Sequence, residues 1–273
     1  MTAPRTHASA APQEAPPHPA FTTQQAGVAG QFGPQAGAYV VSAVHAGGAD
    51  LEALAAIAQA RRPARALDMG CGGGHASFAM ARAGGEVVAC DLSPAMLEAV
   101  EAEAARRGHA GVRTQWGAAE RLPFDDGAFD MVASRYSAHH WGDFDAALCE
   151  ARRVTRRGGV AVFMDVCSPG TPLADTFLQA MELLRDPSHV RDYSCDEWIA
   201  AVTRAGFAAG RLTRRRLRLE FASWIARIRT PAVHATAIRS LQDRAPDDVR
   251  RHFEMEPDGT FTVDTMTLEA QAA

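Results

Sequence analysis

Residues 66–75 read Ala-Leu-Asp-Met-Gly-Cys-Gly-Gly-Gly-His. A short apolar run ends in an acid, Asp68, and glycines follow at 70, 72, 73 and 74 before a helical pattern begins near Ala76. A turn this tight needs backbone conformations that glycine adopts without steric cost. The helix start behind it presents N–H groups with no intrahelical partner. A glycine-rich strand-to-helix turn of this kind constrains the chain to an α/β arrangement that holds a nucleotide-like ligand against the turn.

The pattern on either side agrees. Residues 65–69 read as a strand, 76–82 as a helix and 86–90 as a second strand. Ser93-Pro94 places an N-cap before a proline at the first helical position, and the helix runs to Arg107 and stops at Gly108. Its apolar face is Met96, Leu97, Val100 and Ala104. Residues 112–116, 129–134 and 160–166 read as three more strands, the last almost wholly apolar, as a strand covered on both faces should be. A helix from Asp143 or Asp145 is expected to end with Arg152, Arg153, Arg156 and Arg157 before Gly158-Gly159. The alternation defines an α/β chain with a mainly parallel sheet. Beyond it come a helical stretch over 171–190 placed as a lid insert, a capping box at Ser194–Glu197, a one-sided strand over 212–221, helices over 222–229 and 231–244, and a last strand over 261–266.

Before the alternation, residues 1–20 are rich in Ala and Pro without apolar periodicity and read as a disordered tail. Residues 21–60 read as a helical cap, broken at Gly47-Gly48, with Asp50 as an N-cap for its second helix. The remainder, 61–273, is expected to form the main domain. A formal net charge of −4 gives no global basic field for nucleic acid. No apolar run reaches the roughly 20 residues of a membrane span. The five cysteines, at 71, 90, 149, 167 and 195, form no Cys-x-x-Cys pair, which argues against a disulfide framework or zinc cage and suits a reducing cytoplasm. No metal site is expected.

The glycine spacing discriminates among ligands. A dinucleotide fingerprint, G-x-G-x-x-G/A, would need a small residue at 75 when started from Gly70, and His75 stands there. A triphosphate loop, G-x-x-x-x-G-K-[ST], is absent. Asp68–Gly74 fits D-x-G-x-G-x-G, a loop with no pyrophosphate to hold. Asp91 ends the second strand about 20 residues past the loop, where an acid grips ribose hydroxyls in doubly wound sheets. A carboxylate offers only acceptors, which suits two adjacent hydroxyl donors.

Taken together, Asp68–Gly74, Asp91-Leu-Ser-Pro-Ala-Met96, Ala119-Glu-Arg-Leu-Pro-Phe124 and Ser137-Ala-His-His-Trp141 resemble the class I S-adenosylmethionine-dependent methyltransferases. The similarity is to the type-11 subgroup that contains the ubiquinone/menaquinone C-methyltransferases. Residues 136–141, 163–166 and 188–191 look closer still to the YafE-type bacterial proteins, over a stretch from about Phe32 to near the C-terminus. The resemblance implies a Rossmann-like seven-stranded sheet of order 3-2-1-4-5-7-6 with its seventh strand antiparallel, a helical N-terminal cap and C-terminal additions. It implies S-adenosyl-L-methionine as cofactor and a small-molecule methyl acceptor. It places Asp68, Gly70, Cys71, Gly72 and Gly74 around the methionine part, Asp91 on the ribose hydroxyls, Leu92 and Met96 beside the adenine, and Ala118 and Ala119 at the adenine edge. Many relatives carry Asp or Asn at the position of Ala118, and an alanine cannot make that side-chain contact.

Methyl transfer from a sulfonium relies on alignment and water exclusion, and needs a base only when the acceptor must lose a proton. His139 and His140 follow the fourth strand at the carboxyl end of the sheet, where such sheets bind ligands, and are the candidate catalytic bases. Arg135, at the same strand end, is a candidate for the cofactor's carboxylate or an anionic acceptor, or a structural ion pair. His189 and Arg191 are candidate acceptor contacts. Tyr39 reads as a core residue or as a ring facing the sulfonium. Trp141, Trp198 and Trp224 read as packing residues, and the arginines at 211, 214, 215, 216 and 218 as a charged sheet edge. A non-catalytic cofactor-binding module on the same fold is the competing reading.

Overall fold

A computed structural model describes residues 22–37 and 47–273. The expectations for residues 1–20, Tyr39 and the segment around it lie outside the described residues. Seven strands form one sheet in the order β3-β2-β1-β4-β5-β7-β6. The strands are β1 (Arg65–Met69), β2 (Glu86–Asp91), β3 (Val112–Trp116), β4 (Phe129–Arg135), β5 (Thr155–Val166), β6 (Phe207–Leu219) and β7 (Phe261–Ala272). The first five pair in parallel, and β7 runs antiparallel between β5 and β6. This is the order implied by the family resemblance.

Side chains alternate between the two sheet faces, and each face is covered by helices. On one face Ala66, Val87, Ala89, Met131, Ala133 and Val162 pack with α2 (Ala49–Arg61), α3 (His75–Ala81) and α4 (Pro94–Arg107). On the other, Leu67, Met69, Val88, Val132, Ala161 and Phe163 pack with α5 (Phe144–Val154) and α7 (Cys195–Arg204). Burial on both faces explains why the central strands read as unbroken apolar runs. A third cluster joins α6 (Pro172–Arg185), α8 (Phe221–Arg227), α9 (Ala232–Asp243) and α10 (Asp247–His252) to the ends of β6 and β7. Among the described residues no helix is long and apolar enough to cross a membrane.

Local signals explain most element ends. Ser93 Oγ accepts from Met96 N–H at the start of α4, and Gly108 closes that helix at φ +73°. Ser194 and Glu197 form the reciprocal capping box of α7. Four expectations need correction. The N-cap of α2 is Gly48, and Asp50 sits inside its first turn because its carboxylate faces the Arg135 guanidinium at 2.5 Å. α5 stops at Val154, and Arg156 and Arg157 already belong to β5. Gly158 (φ +73°) makes a bulge there: the β4–β5 register jumps from Phe129↔Thr155 to Met131↔Val160, and Arg156 pairs with Asp130. The last strand runs twelve residues because β7 has a partner on both sides. Residues 220–221 leave β6, and α10 follows Pro246 with acids first and bases last.

The arginines of β6 lie on the sheet edge. Arg216 pairs with Asp264 and Glu254, Arg218 with Glu256, and Arg215 donates to Thr267 Oγ1. Trp198 and Trp224 are buried. Trp198 lies against Phe144 edge-on at 4.7 Å and against Phe163 at 5.4 Å, so it joins α7 and α5 to the sheet. Trp198→Ala leaves a cavity at that junction, and we expect a loss of about 3–5 kcal/mol in denaturant unfolding.

Candidate functional site

The carboxyl ends of β1, β2 and β4 open into a cavity of about 190 Å³. Its first bank is the loop after β1. Gly70, Gly72 and Gly74 hold φ values of +70°, +47° and +77°. Gly70 and Cys71 both donate their N–H to the Cys90 carbonyl at 2.9 Å, which stitches the loop to the end of β2. A side chain at Gly70 would collide with Ser137 Oγ, and one at Gly74 would press on Val100 and Phe78 at 3.0–3.1 Å. Gly72 is different: a Cβ there meets nothing within 4 Å, and the residue borders the cavity. The glycine keeps that space for a ligand.

Two acids stand behind this loop. Asp91 Oδ2 accepts from Gly72 N–H at 2.8 Å and Oδ1 from Ser93 N–H at 2.9 Å. Its carboxylate borders the cavity with lone pairs to spare. Asp68 accepts from Ser77 N–H and Oγ–H through Oδ2 at 2.8 and 2.6 Å, while its buried Oδ1 has no hydrogen-bond partner. Burial pushes Asp68 up from 3.8 to about 6, against the pull of the Ser77 bonds. Burial raises Asp91 too. Leu92, Met96, Ala119 and Arg135 border the same cavity. Trp116 fixes the Leu92 turn by donating Nε1–H to its carbonyl at 3.0 Å. Ala118 and Gly74 do not border it: Ala118 is occupied in a bridge with Arg121, and Gly74 caps α3. Arg135 bonds Asp50 and lies over the Tyr136 ring at 4.6 Å.

The opposite bank carries the histidines. His139 Nδ1 lies 2.6 Å from Asp165 Oδ1, and Asp165 Oδ2 accepts from Ala138 N–H. Burial opposes a charge on His139, but the Asp165 carboxylate overrides it and lifts the imidazole to about 9. His140 is driven the other way, to about 3, by burial and by the charge on His139, whose ring centroid is 4.2 Å away. A neutral imidazole facing the Ser188 carbonyl at 3.2 Å donates from Nδ1, which leaves Nε2 as an acceptor. The pair is therefore split, one charged and one neutral. His189 is buried and bonded to Gln179 Oε1 at 2.9 Å, and Arg191 is held by Asp175 and Glu197 away from the cavity.

Several bordering residues were not legible in the sequence. Gln25, Val28, Ala29 and Phe32 of α1 (Thr23–Phe32) cover the cavity, and the helix is tied to both banks. Gln24 Nε2 donates to the Ser188 carbonyl at 2.6 Å, and Gln25 Nε2 to Glu120 Oε2 at 3.1 Å. Glu182, Arg185 and Asp192 come from the segment after β5, and Leu217, Leu219 and Trp224 give the far end an apolar floor. Tyr136 turns the chain at the end of β4 with φ +51°.

This sheet order carries a glycine loop after β1 and an acid at the end of β2, and residues 67–163 match the family described as Methyltransferase domain. The chain belongs to that family. It is 46% identical over 200 residues to the uncharacterized protein YafE of Escherichia coli K12, covering 73% of this chain and 97% of YafE. It is 35% identical over 222 residues to the uncharacterized methyltransferase YcgJ of Bacillus subtilis, covering 81% and 88% of the two chains. The crystal structure of YcgJ superposes with a TM-score of 0.78 at 32% identity, over 82% of this chain and 97% of that one. A shorter stretch of 116 residues is 34% identical to the demethylmenaquinone methyltransferase of Streptomyces avermitilis, covering 42% of this chain and 48% of that one.

The raised Asp68 has a measurable consequence. The native state holds this proton more tightly than the unfolded chain, so its stabilising effect is full below pH 3.8 and is lost as pH rises through about 6. We expect the ligand-free protein to lose up to about 3 kcal/mol over that window relative to Asp68→Asn. Urea unfolding of both proteins at several pH values between those limits checks it.

Proposed function

We propose that this chain is an S-adenosylmethionine-dependent methyltransferase acting on a small-molecule acceptor in the cytoplasm. The observation that carries the reading is the Asp91 carboxylate: it anchors the loop through Gly72 and still faces the cavity. The open space at Gly72 and the unpartnered Asp68 Oδ1 fit the same ligand. Asp91 would receive the ribose hydroxyls, and Leu92 and Met96 would flank the adenine with Ala119 at its edge. Ala118 contributes no side-chain contact, so adenine recognition falls to backbone groups. The loop of Gly70, Cys71 and Gly72, with Asp68 and Arg135, would hold the methionine part. That donor, when bound, would supply an electrophilic methyl group: the acceptor nucleophile bonds to its carbon in line as the carbon–sulfur bond breaks and the neutral thioether leaves.

The chain's own contribution is to align the acceptor and keep water out. In this reading residues 61–273 form the catalytic domain, α1 is the cap, and the stretch around α6 is the lid over the acceptor end. His140 Nε2 accepts the hydrogen bond of the acceptor's protonated group, and His139 sets the electrostatics beside it. The Streptomyces relative, named for demethylmenaquinone, supports a small-molecule acceptor.

Titration calorimetry with S-adenosylmethionine and S-adenosylhomocysteine tests the proposal. Both are expected to bind one per chain. Asp91→Ala should weaken both by at least about tenfold, since charge-assisted hydrogen bonds to two hydroxyls are lost. Failure of either ligand to bind, or equal binding by the variant with its melting temperature unchanged, overturns the reading.

A further inference from the structure

The histidine bank of the cavity contains a second arrangement that methyl-donor binding does not use. His139 follows β4, Asp165 lies near the end of β5, and Asp192 precedes α7. One ring nitrogen of His139 and one carboxylate oxygen from each acid lie within 4.8 Å of one another. Both acids are 2% exposed. Asp192 Oδ2 has no hydrogen-bond partner. His139 and Asp192 border the cavity, so a ligand held between them would be reached from it.

The charge around this point is unbalanced. Asp165, Asp192 and Glu182 act on His139, and Asp186 acts on its neighbour His140. All four acids are buried. Arg185 reaches Glu182 at 3.6 Å, and Arg191 is taken by Asp175 and Glu197. These four buried carboxyls outnumber the arginines paired with them. Buried carboxylates need a compensating partner. A proton on Asp192 Oδ2 would find no acceptor there, whereas a cation needs that bare oxygen.

We propose that His139, Asp165 and Asp192 bind one divalent first-row transition ion, replacing the proton that His139 shares with Asp165. One imidazole nitrogen and two carboxylate oxygens suit Mn²⁺, Fe²⁺ or Zn²⁺ better than Mg²⁺, which favours oxygen ligands and water. Atoms bound at about 2.1 Å to one ion stand about 3–4 Å apart, so the 2.6 Å contact between His139 and Asp165 opens on binding while the wider spacings close. Three protein ligands leave open positions toward the cavity. An acceptor hydroxyl or enol oxygen bound there would lose its proton more readily, as metal-bound water does. The site therefore selects acceptors that present an oxygen.

The test uses the full chain, stripped with a chelator and dialysed against micromolar Mn²⁺ or Zn²⁺. Elemental analysis is expected to find about one ion per chain. Bound Mn²⁺ should broaden the ring protons of His139 in the NMR spectrum. Asp192→Asn should weaken binding by at least about tenfold, while Asp248→Asn, on an exposed acid of α10, should leave it unchanged. Wild-type protein that retains only a trace of either ion, or bound Mn²⁺ that leaves the His139 signals sharp, overturns the proposal whatever the variants do. The inference is independent of the methyl-donor reading: S-adenosylhomocysteine affinity on the same metal-free sample reports that reading separately.

Discussion

One carboxylate holds the two turns that define the cavity. Asp91 accepts from Gly72 N–H with one oxygen and from Ser93 N–H with the other, so the loop after β1 and the turn after β2 are set by a single side chain. The Cys90 carbonyl, one residue earlier, receives the N–H groups of Gly70 and Cys71. Parallel pairing of β1 and β2 brings these groups together, with Met69 opposite Cys90. The three positive-φ glycines follow from that geometry: the loop must fold back over a strand end while leaving its outer side open. The cavity, its apolar wall at Leu92 and Met96, and the placement of α3 and α4 all depend on this junction.

The second organising constraint is electrostatic. Two adjacent histidines receive opposite treatment because one has Asp165 at 2.6 Å and the other has a backbone carbonyl at 3.2 Å. Burial amplifies the difference, since charge is costly in the interior unless it is paired. A strand end that presents a cationic and a neutral imidazole side by side offers a hydrogen-bond acceptor next to a positive field. That combination suits the handling of a protonated acceptor group. The apolar floor of Leu217, Leu219 and Trp224 gives the same end of the cavity room for a nonpolar body.

The sheet was legible because burial on both faces writes itself into the residues: Ala, Val, Leu, Met and Phe fill most of the buried positions of β1, β2, β4 and β5, and Gly70 and Gly85 mark the end of β1 and the start of β2. The glycine loop and Asp91 were legible because backbone geometry restricts what can stand there. Ambiguity arose where one local signal has two uses. Gly158-Gly159 reads as a helix stop and makes a strand bulge instead. Asp50 reads as a cap and serves as the partner of Arg135, 85 residues away. The pairing of His139 with Asp165 and Asp192 leaves no sequence signature, since three separated segments meet only after the sheet has formed. The glutamines of α1 were silent for the same reason: they bond carbonyls and acids on distant loops.

The activity proposed for this cavity is transfer of a methyl group to a small molecule. The most direct measurement incubates a metabolite extract with the protein and S-adenosylmethionine carrying an isotopically labelled methyl group. The expected result is label in one or a few small molecules with the wild-type protein, and at least about tenfold slower labelling by His140→Ala. Label that stays in the donor with wild-type protein, or that appears in small molecules equally with and without the protein, would contradict it.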